Sequence, residues 1–106
     1  MEYTFNKETR YITRGVNTEI PLEIQILILN CIDELVESNT KTDYLQVFKL
    51  KVENSELFSI THTQEQPEFK KVSNIKMKKE YSILNGKTVF VIDDKTHSTC
   101  LLSGEY

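Results

Sequence analysis

The segment VIDDKTHSTC, residues 91–100, brings Asp93, Asp94, His97, Ser98 and Cys100 close together in the chain. These residue types can do two kinds of chemistry. A histidine can take a proton from a serine or cysteine while a carboxylate orients it, and carboxylates with imidazole can ligate a metal. The spacing works against both. Two or three ligands within so short a stretch cannot close a coordination shell. Neighbours in an extended segment point to opposite faces, which does not assemble a triad. A turn accounts for every residue: Asp93 and Asp94 bond their own backbone, Thr96 and Ser98 help to cap, and a strand resumes at Thr99. The segment is therefore read as a turn. A small hydrolase or metal site around Asp93, Asp94 and His97, extended by His62 if the fold brings the two histidines together, is kept as an alternative.

A second candidate lies between Phe69 and Tyr81, where Lys70, Lys71, Lys76, Lys78 and Lys79 alternate with apolar residues. Lysines beside aromatics can bind a phosphate backbone. However, Ile75 and Met77 alternate with Lys76 and Lys78, as in a strand with one buried face, and lysines on an edge strand also discourage unwanted pairing. The run holds no arginine and the whole chain carries a formal charge of −3, so nucleic-acid binding is the alternative rather than the leading reading.

The third candidate is a helix. NTEIPLEIQILILNCIDELVESN has Pro21 suited to a first helical position and Glu19 and Glu23 at the positive end of the dipole. Ile24, Leu27, Ile28, Cys31, Ile32 and Leu35 make one apolar stripe. Leu22, Ile26, Leu29 and Val36 make a second, interrupted by Asp33. One helix on a sheet needs only the first. The second is either covered by the chain termini or free for a partner, with Leu22, Ile26, Leu29 and Asp33 as the contact and Glu23 and Glu37 as a charged rim.

Around these sites the pattern is mostly strand. RYIT at 10–13, DYLQVFKLKV, LFSITHTQ ended by Pro67, a weak FKKVSNIKMKK, and KTVFVI followed by TCLLS all read as strands. DYLQVFKLKV is apolar on both faces, which suggests a strand covered on two sides. Asn85-Gly86 suggests a type I′ hairpin turn. The expected fold is α+β: one main helix on a hairpin-connected antiparallel sheet of about five strands. Residues 1–106 form a single domain in this reading, with 1–9 a segment free to be flexible.

A chain of 106 residues, 39% hydrophobic and 27% charged, is ordinary for a globular domain. Glu19 to Asp43 holds six carboxylates and one lysine, whereas Glu68 to Glu80 holds five lysines and two glutamates. The N-terminus does not read as a signal peptide and no apolar run approaches the ~20 residues of a membrane span. Cys31 and Cys100 lack CxxC spacing, so a cytoplasmic placement with free thiols is expected.

RYITRGVNTEIPLEIQ, IDEL, DYLQVFKL, HTQEQPEF and VFVIDDKTHSTCLL, in that order, resemble a small family of cytosolic proteins of unknown function from staphylococci and related Gram-positive bacteria. The resemblance covers the chain from Arg10 onward. The chain departs from the family's usual pattern in having no tryptophan in its helix and Lys95 where a glycine often follows Asp94. The resemblance implies no catalytic residue, cofactor or metal. It does imply a setting among the accessory genes of mobile genetic elements, whose products often bind host proteins. The expectation is a non-enzymatic interaction module, with a host- or element-encoded protein, or a second copy of itself, as partner.

Overall fold

Pro21 splits the helical part of the chain in two. In the computed structural model, which describes residues 3–106, α1 spans Arg14–Glu19 and α2 spans Leu22–Glu37. Thr13 caps α1 by accepting the Val16 N–H at 3.2 Å. Ile20 turns extended, at φ −106° and ψ 120°, because a residue preceding proline avoids the helical region. The Gln25 amide donates to the Ile20 carbonyl at 2.8 Å and so satisfies a group freed by the break. At the other end, Ser38 donates its hydroxyl to the Leu35 carbonyl at 2.7 Å, and Asn39 takes a left-handed φ of 63°.

The strands are β1 Arg10–Ile12, β2 Leu45–Val52, β3 Leu57–Gln64, β4 Phe69–Lys76, β5 Thr88–Asp93 and β6 Ser98–Leu102. They form one six-stranded sheet in the order β1-β6-β5-β2-β3-β4. The α+β class holds, but the sheet is larger than the expected five strands and is not purely antiparallel. β1 pairs parallel with β6, and the other neighbours are antiparallel. The weak segment is a full strand, β4, at the sheet's edge. An edge strand covered on one side only needs few apolar residues, which is why its pattern was faint.

Cross-strand register decides what each face carries. Phe48 and Leu50 of β2, Phe58 and Ile60 of β3, and Val89 and Val91 of β5 share one face, where Ile24, Ile28 and Ile32 of α2 pack on them. α1 contributes Val16 and Ile20, and a 3-10 turn at Lys79–Leu84 contributes Tyr81 and Leu84 to the same core. α1, α2 and this 3-10 turn thus lie on one side. β2 is central, as its composition suggested, yet it is covered on that side only. Leu45 and Val47 face out and stay half-buried.

The Asn85-Gly86 hairpin is corrected. The segment before it is the 3-10 turn, and the dihedrals (Asn85 φ −57°, ψ 124°; Gly86 φ 85°) are those of a type II turn closed by the Lys87 N–H on the Leu84 carbonyl at 3.0 Å. Glycine supplies the positive φ in either type. The turn docks on the end of β2, where the Val52 N–H reaches Asn85 Oδ1 at 2.8 Å.

The N-terminal segment places Phe5, 1% exposed, in the core with a left-handed φ of 48°. Its N–H donates to Asp93 Oδ2 at 2.9 Å, and its carbonyl accepts from the Arg10 guanidinium at 2.8 Å. Within the segment 1–9 read as free to be flexible, of which residues 1 and 2 lie outside the described residues, Phe5 is thus tied to Asp93 and, through Arg10, to α2. Phe5→Ala is expected to lower stability by about 3 to 4 kcal/mol, the usual cost of emptying a buried aromatic site. Urea denaturation checks this, and a loss under about 1 kcal/mol would show that the segment is not part of the core.

Candidate functional site

The β5–β6 connection closes as a turn built on two carboxylates. Asp94 Oδ1 accepts the Thr96 N–H at 2.9 Å, the Thr96 hydroxyl at 2.7 Å and the His97 N–H at 2.9 Å. The Thr96 hydroxyl and these backbone N–H groups hold Asp94 down to about 2. Asp93 is buried and divides its oxygens between the N–H groups of Phe5, at 2.9 Å, and Lys95, at 2.8 Å. Asp93 has both oxygens engaged, and Asp94 keeps only Oδ2, which lies 3.6 Å from His97 Nδ1, beyond hydrogen-bond reach. His97 is half-exposed, with Nδ1 3.0 Å from the Thr96 hydroxyl and its ring edge-on to Tyr11 at 5.1 Å. Ser98 points inward with its hydroxyl buried and unpaired, and burial pushes the Cys100 thiol up to about 12. The candidate nucleophiles thus face the core while the imidazole faces out.

His62 does not join this group. It lies on β3, three strands from β6 in the sheet order and so at least about 14 Å away. It belongs to a buried polar network that sequence reasoning missed. The Gln46 amide donates to the Asp43 carbonyl at 2.9 Å and to Gln64 Oε1 at 2.7 Å, which fixes its orientation. Gln46 Oε1 is then left 2.6 Å from His62 Nε2, so Nε2 carries the proton. His62 Nδ1 has no partner, and the ring is stacked on Phe48 at 4.3 Å. Burial, reinforced by nearby Lys71, lowers His62 from 6.5 to about 4, so it is neutral. Gln64 completes the network by donating to the carbonyls of Lys41 at 2.9 Å and Pro67 at 2.8 Å.

The five lysines of the basic run do not form one patch. Lys71 sits on the helix side of β4, 2.5 Å from Glu34. Lys78 lies 3.7 Å from Glu23 and over the Tyr81 ring. Lys79 opens the 3-10 turn. Only Lys70 and Lys76 project to the opposite face of the sheet, opposite Thr63 and Leu57 of β3.

The second helical stripe divides in half. Asp33 is not a free rim residue: it accepts from Arg10 at 2.5 Å, with Lys7 at 3.9 Å. Val36 and Tyr3 pack against the core beside it, and Leu29 is half-buried. Toward the N-terminus of α2, Leu22 is 66% and Ile26 50% exposed. Glu23 is engaged between Lys78 and the Tyr81 hydroxyl, which donates to it at 2.8 Å. Its own backbone N–H and that hydroxyl hold Glu23 below its ordinary range. The same bond puts the 3-10 turn, with Ile83 exposed, at this end of the helix. Glu37 is exposed at the far end. Among the described residues, no three histidine, cysteine or carboxylate side chains converge as a metal site, and no helix is long and apolar enough to cross a membrane.

The chain belongs to the family described as "Staphylococcal protein of unknown function (DUF960)", which matches residues 9–105. A crystal structure of a protein of unknown function from Enterococcus faecalis is similar to it, with a TM-score of 0.77 and 24% identity over 100% of this chain and 98% of that one. That likeness shows the shared fold. No curated protein matches the sequence.

The neutral His62 generates a prediction. Its folded-state value of about 4 lies below the ordinary 6.5. The stability it contributes is therefore complete above about pH 6.5 and lost as pH falls toward 4, because the unfolded chain takes the proton first. Urea midpoints at pH 7 and 4.5 should differ by about 2 kcal/mol more in the wild type than in His62→Phe. Equal pH slopes in the two proteins would show that the ring titrates normally.

Proposed function

We propose that this chain is a non-enzymatic protein-interaction module that docks a partner on the N-terminal half of the outer face of α2. The observation that carries the reading is the exposure of Leu22 and Ile26, 66% and 50%, on a helix whose other stripe is buried. Adjacent exposed aliphatics on a rigid helix mark interaction surfaces more often than they occur by chance. Leu22 and Ile26 lie one turn apart, Leu29 extends the surface, and Glu37 stands free as a charged rim that steers encounter. Glu23 and Asp33, named from the sequence as part of this surface, serve instead to hold the 3-10 turn and the N-terminal segment against the helix. The buried thiols and the inward Ser98 favour binding over catalysis. The genomic setting implied by the family resemblance makes a host protein the favoured partner, with this chain an accessory or inhibitory protein of a mobile element acting inside the cell.

Leu22→Asp and Ile26→Asp test the reading. Both positions are exposed, so each variant should melt with a stability change near 0.5 kcal/mol, as surface substitutions do. Each should also lose a nuclease-resistant protein partner captured by the wild type from a Gram-positive lysate. Unfolding of either variant would assign the stripe to the core, and undiminished capture would remove this face from the binding site. A shift of the wild type to dimer mass, absent in Ile26→Asp, would identify the partner as a second copy.

A further inference from the structure

We infer that the open face of the sheet is a second docking surface, shaped and charged for an acidic amphipathic helix of a partner protein. This goes beyond the reading of α2, which lies on the opposite side of the sheet. The register builds the surface row by row. One row runs Leu101, Phe90, Val47, Thr63, Lys70 across β6, β5, β2, β3 and β4. The next runs Thr88, Lys49, Thr61, Val72, and beyond it Lys51 stands beside Ser59 and Asn74. The β5–β6 half therefore presents Phe90, Ile92 and Leu101 beside Thr88 and Thr99, continued by Leu45 and Val47 of β2, and the β2–β4 half carries Lys49, Lys51, Lys70 and Lys76.

No outward-facing strand position among the described residues holds a carboxylate. Lys49, Lys70 and Lys76 make no ion pair among those residues, while Lys51 is partly offset by Glu53 at 3.6 Å. A groove of about 240 Å³ lies on the β2–β3 part of this face, lined by Leu45, Val47, Lys49 and Thr63 together with Asp43, Tyr44 and Glu65. Asp43 is already engaged by the N–H groups of Tyr44 and Gln66. From β5, which carries Phe90 and Ile92, to β4, which carries Lys70 and Lys76, is three strand spacings, about 14 Å, a little more than the width of an α-helix with its side chains. A helix laid along this seam would bury one apolar stripe and set a flanking acidic stripe over the lysines.

The same features speak against other occupants. Single strands of nucleic acid stack on exposed rings within a basic groove. Here the outward positions of β3 and β4, beside the lysines, carry no ring, and the Phe90 ring is met by the Tyr106 ring at 5.7 Å, nearly perpendicular. A second copy could offer its own α2, yet Glu23, Asp33 and Glu34 of that helix are already ion-paired. Helix-on-sheet stacking of copies would also be heterologous, building rings or filaments rather than a two-fold dimer. Two open faces meeting would bury lysines of like sign.

The test uses a fluorescein-labelled Leu/Glu amphipathic peptide of about 20 residues, its Leu/Lys counterpart, and an oligothymidylate of about 20 nucleotides. Fluorescence anisotropy against the full chain at about 50 mM salt reads binding. The acidic peptide should bind, and Lys49→Glu/Lys70→Glu/Lys76→Glu should weaken it by about tenfold or more. Ile26→Asp should leave it unchanged, which separates this surface from the one on α2. No binding at about 100 µM protein, equal binding of the basic peptide, or tighter binding of the oligothymidylate would overturn the proposal. So would a loss of peptide binding in Ile26→Asp, or full binding by the triple variant.

Discussion

A single long helix has to cover a six-stranded sheet. α2, with 16 residues, is about 24 Å long, close to the width of the sheet, but a helix shields a band only about 10 Å broad. The rest of the inner face must be covered by short pieces: α1, the 3-10 turn at Lys79–Leu84 and the N-terminal segment through Phe5. Each piece is too short to hold itself in place, so each is tied down by a polar contact. Thr13 caps α1, Tyr81 bonds Glu23, and Arg10 bridges Phe5 to Asp33. The chain thereby commits its main helical cover to one face, while on the other the Tyr106 ring meets Phe90.

The polar network beneath the C-terminal half of the helix follows from the same constraint. β2 and β3 reach past the aliphatic core, and there their inward positions become Gln46, His62 and Gln64. Two amides and a neutral imidazole can be buried because each amide finds backbone carbonyls on the flanking connections. The Lys41–Asp43 and Pro67 segments are thus held by side chains where no ladder reaches them. The orphaned His62 Nδ1 marks the limit of the arrangement, since a second proton on that ring would have no acceptor and would sit near Lys71.

Much of this was legible in the chain, and the failures have physical causes. The stripe from Ile24 to Leu35 identified α2, and the alternation in β3 placed His62 on the same side as Phe58 and Ile60. The Asp-rich segment read correctly as a turn because its side chains bond their own backbone. Lys95 holds a left-handed φ of 78° there, so the backbone shape that a glycine would favour persists without one. The extra strand was harder to count because an edge strand needs little apolar surface. The 3-10 turn was hidden because Tyr81 and Leu84, three apart, also suit an irregular strand leading into Asn85-Gly86. The buried glutamines were invisible because a polar residue at an inward position looks like a break in the pattern. The fate of the second helical stripe depended on Phe5 and Arg10 docking near Asp33, a tertiary event with no local signature.

Charge distribution then explains how a chain of net charge −3 can present a basic surface. α2 contains no lysine or arginine, and its carboxylates draw in cations from elsewhere: Arg10, Lys71 and Lys78. The two lysine pairs are largely solvent-exposed and add little stability individually, whereas Arg10 and Asp33 are mostly buried. Their larger effect is to neutralise the helical layer, so that the lysines of β2 and β4 on the far side are not cancelled through contact. Glu34 and Lys71 bridge α2 to the edge strand β4, and Glu19 with Lys87 ties α1 to the start of β5 at 2.7 Å. With the cover thus neutralised, what the molecule shows to partners is a small aliphatic patch at the start of α2 and a lysine-bearing sheet face behind it. Both are exposed, whereas Cys31, Ser98, Cys100 and His62 are buried.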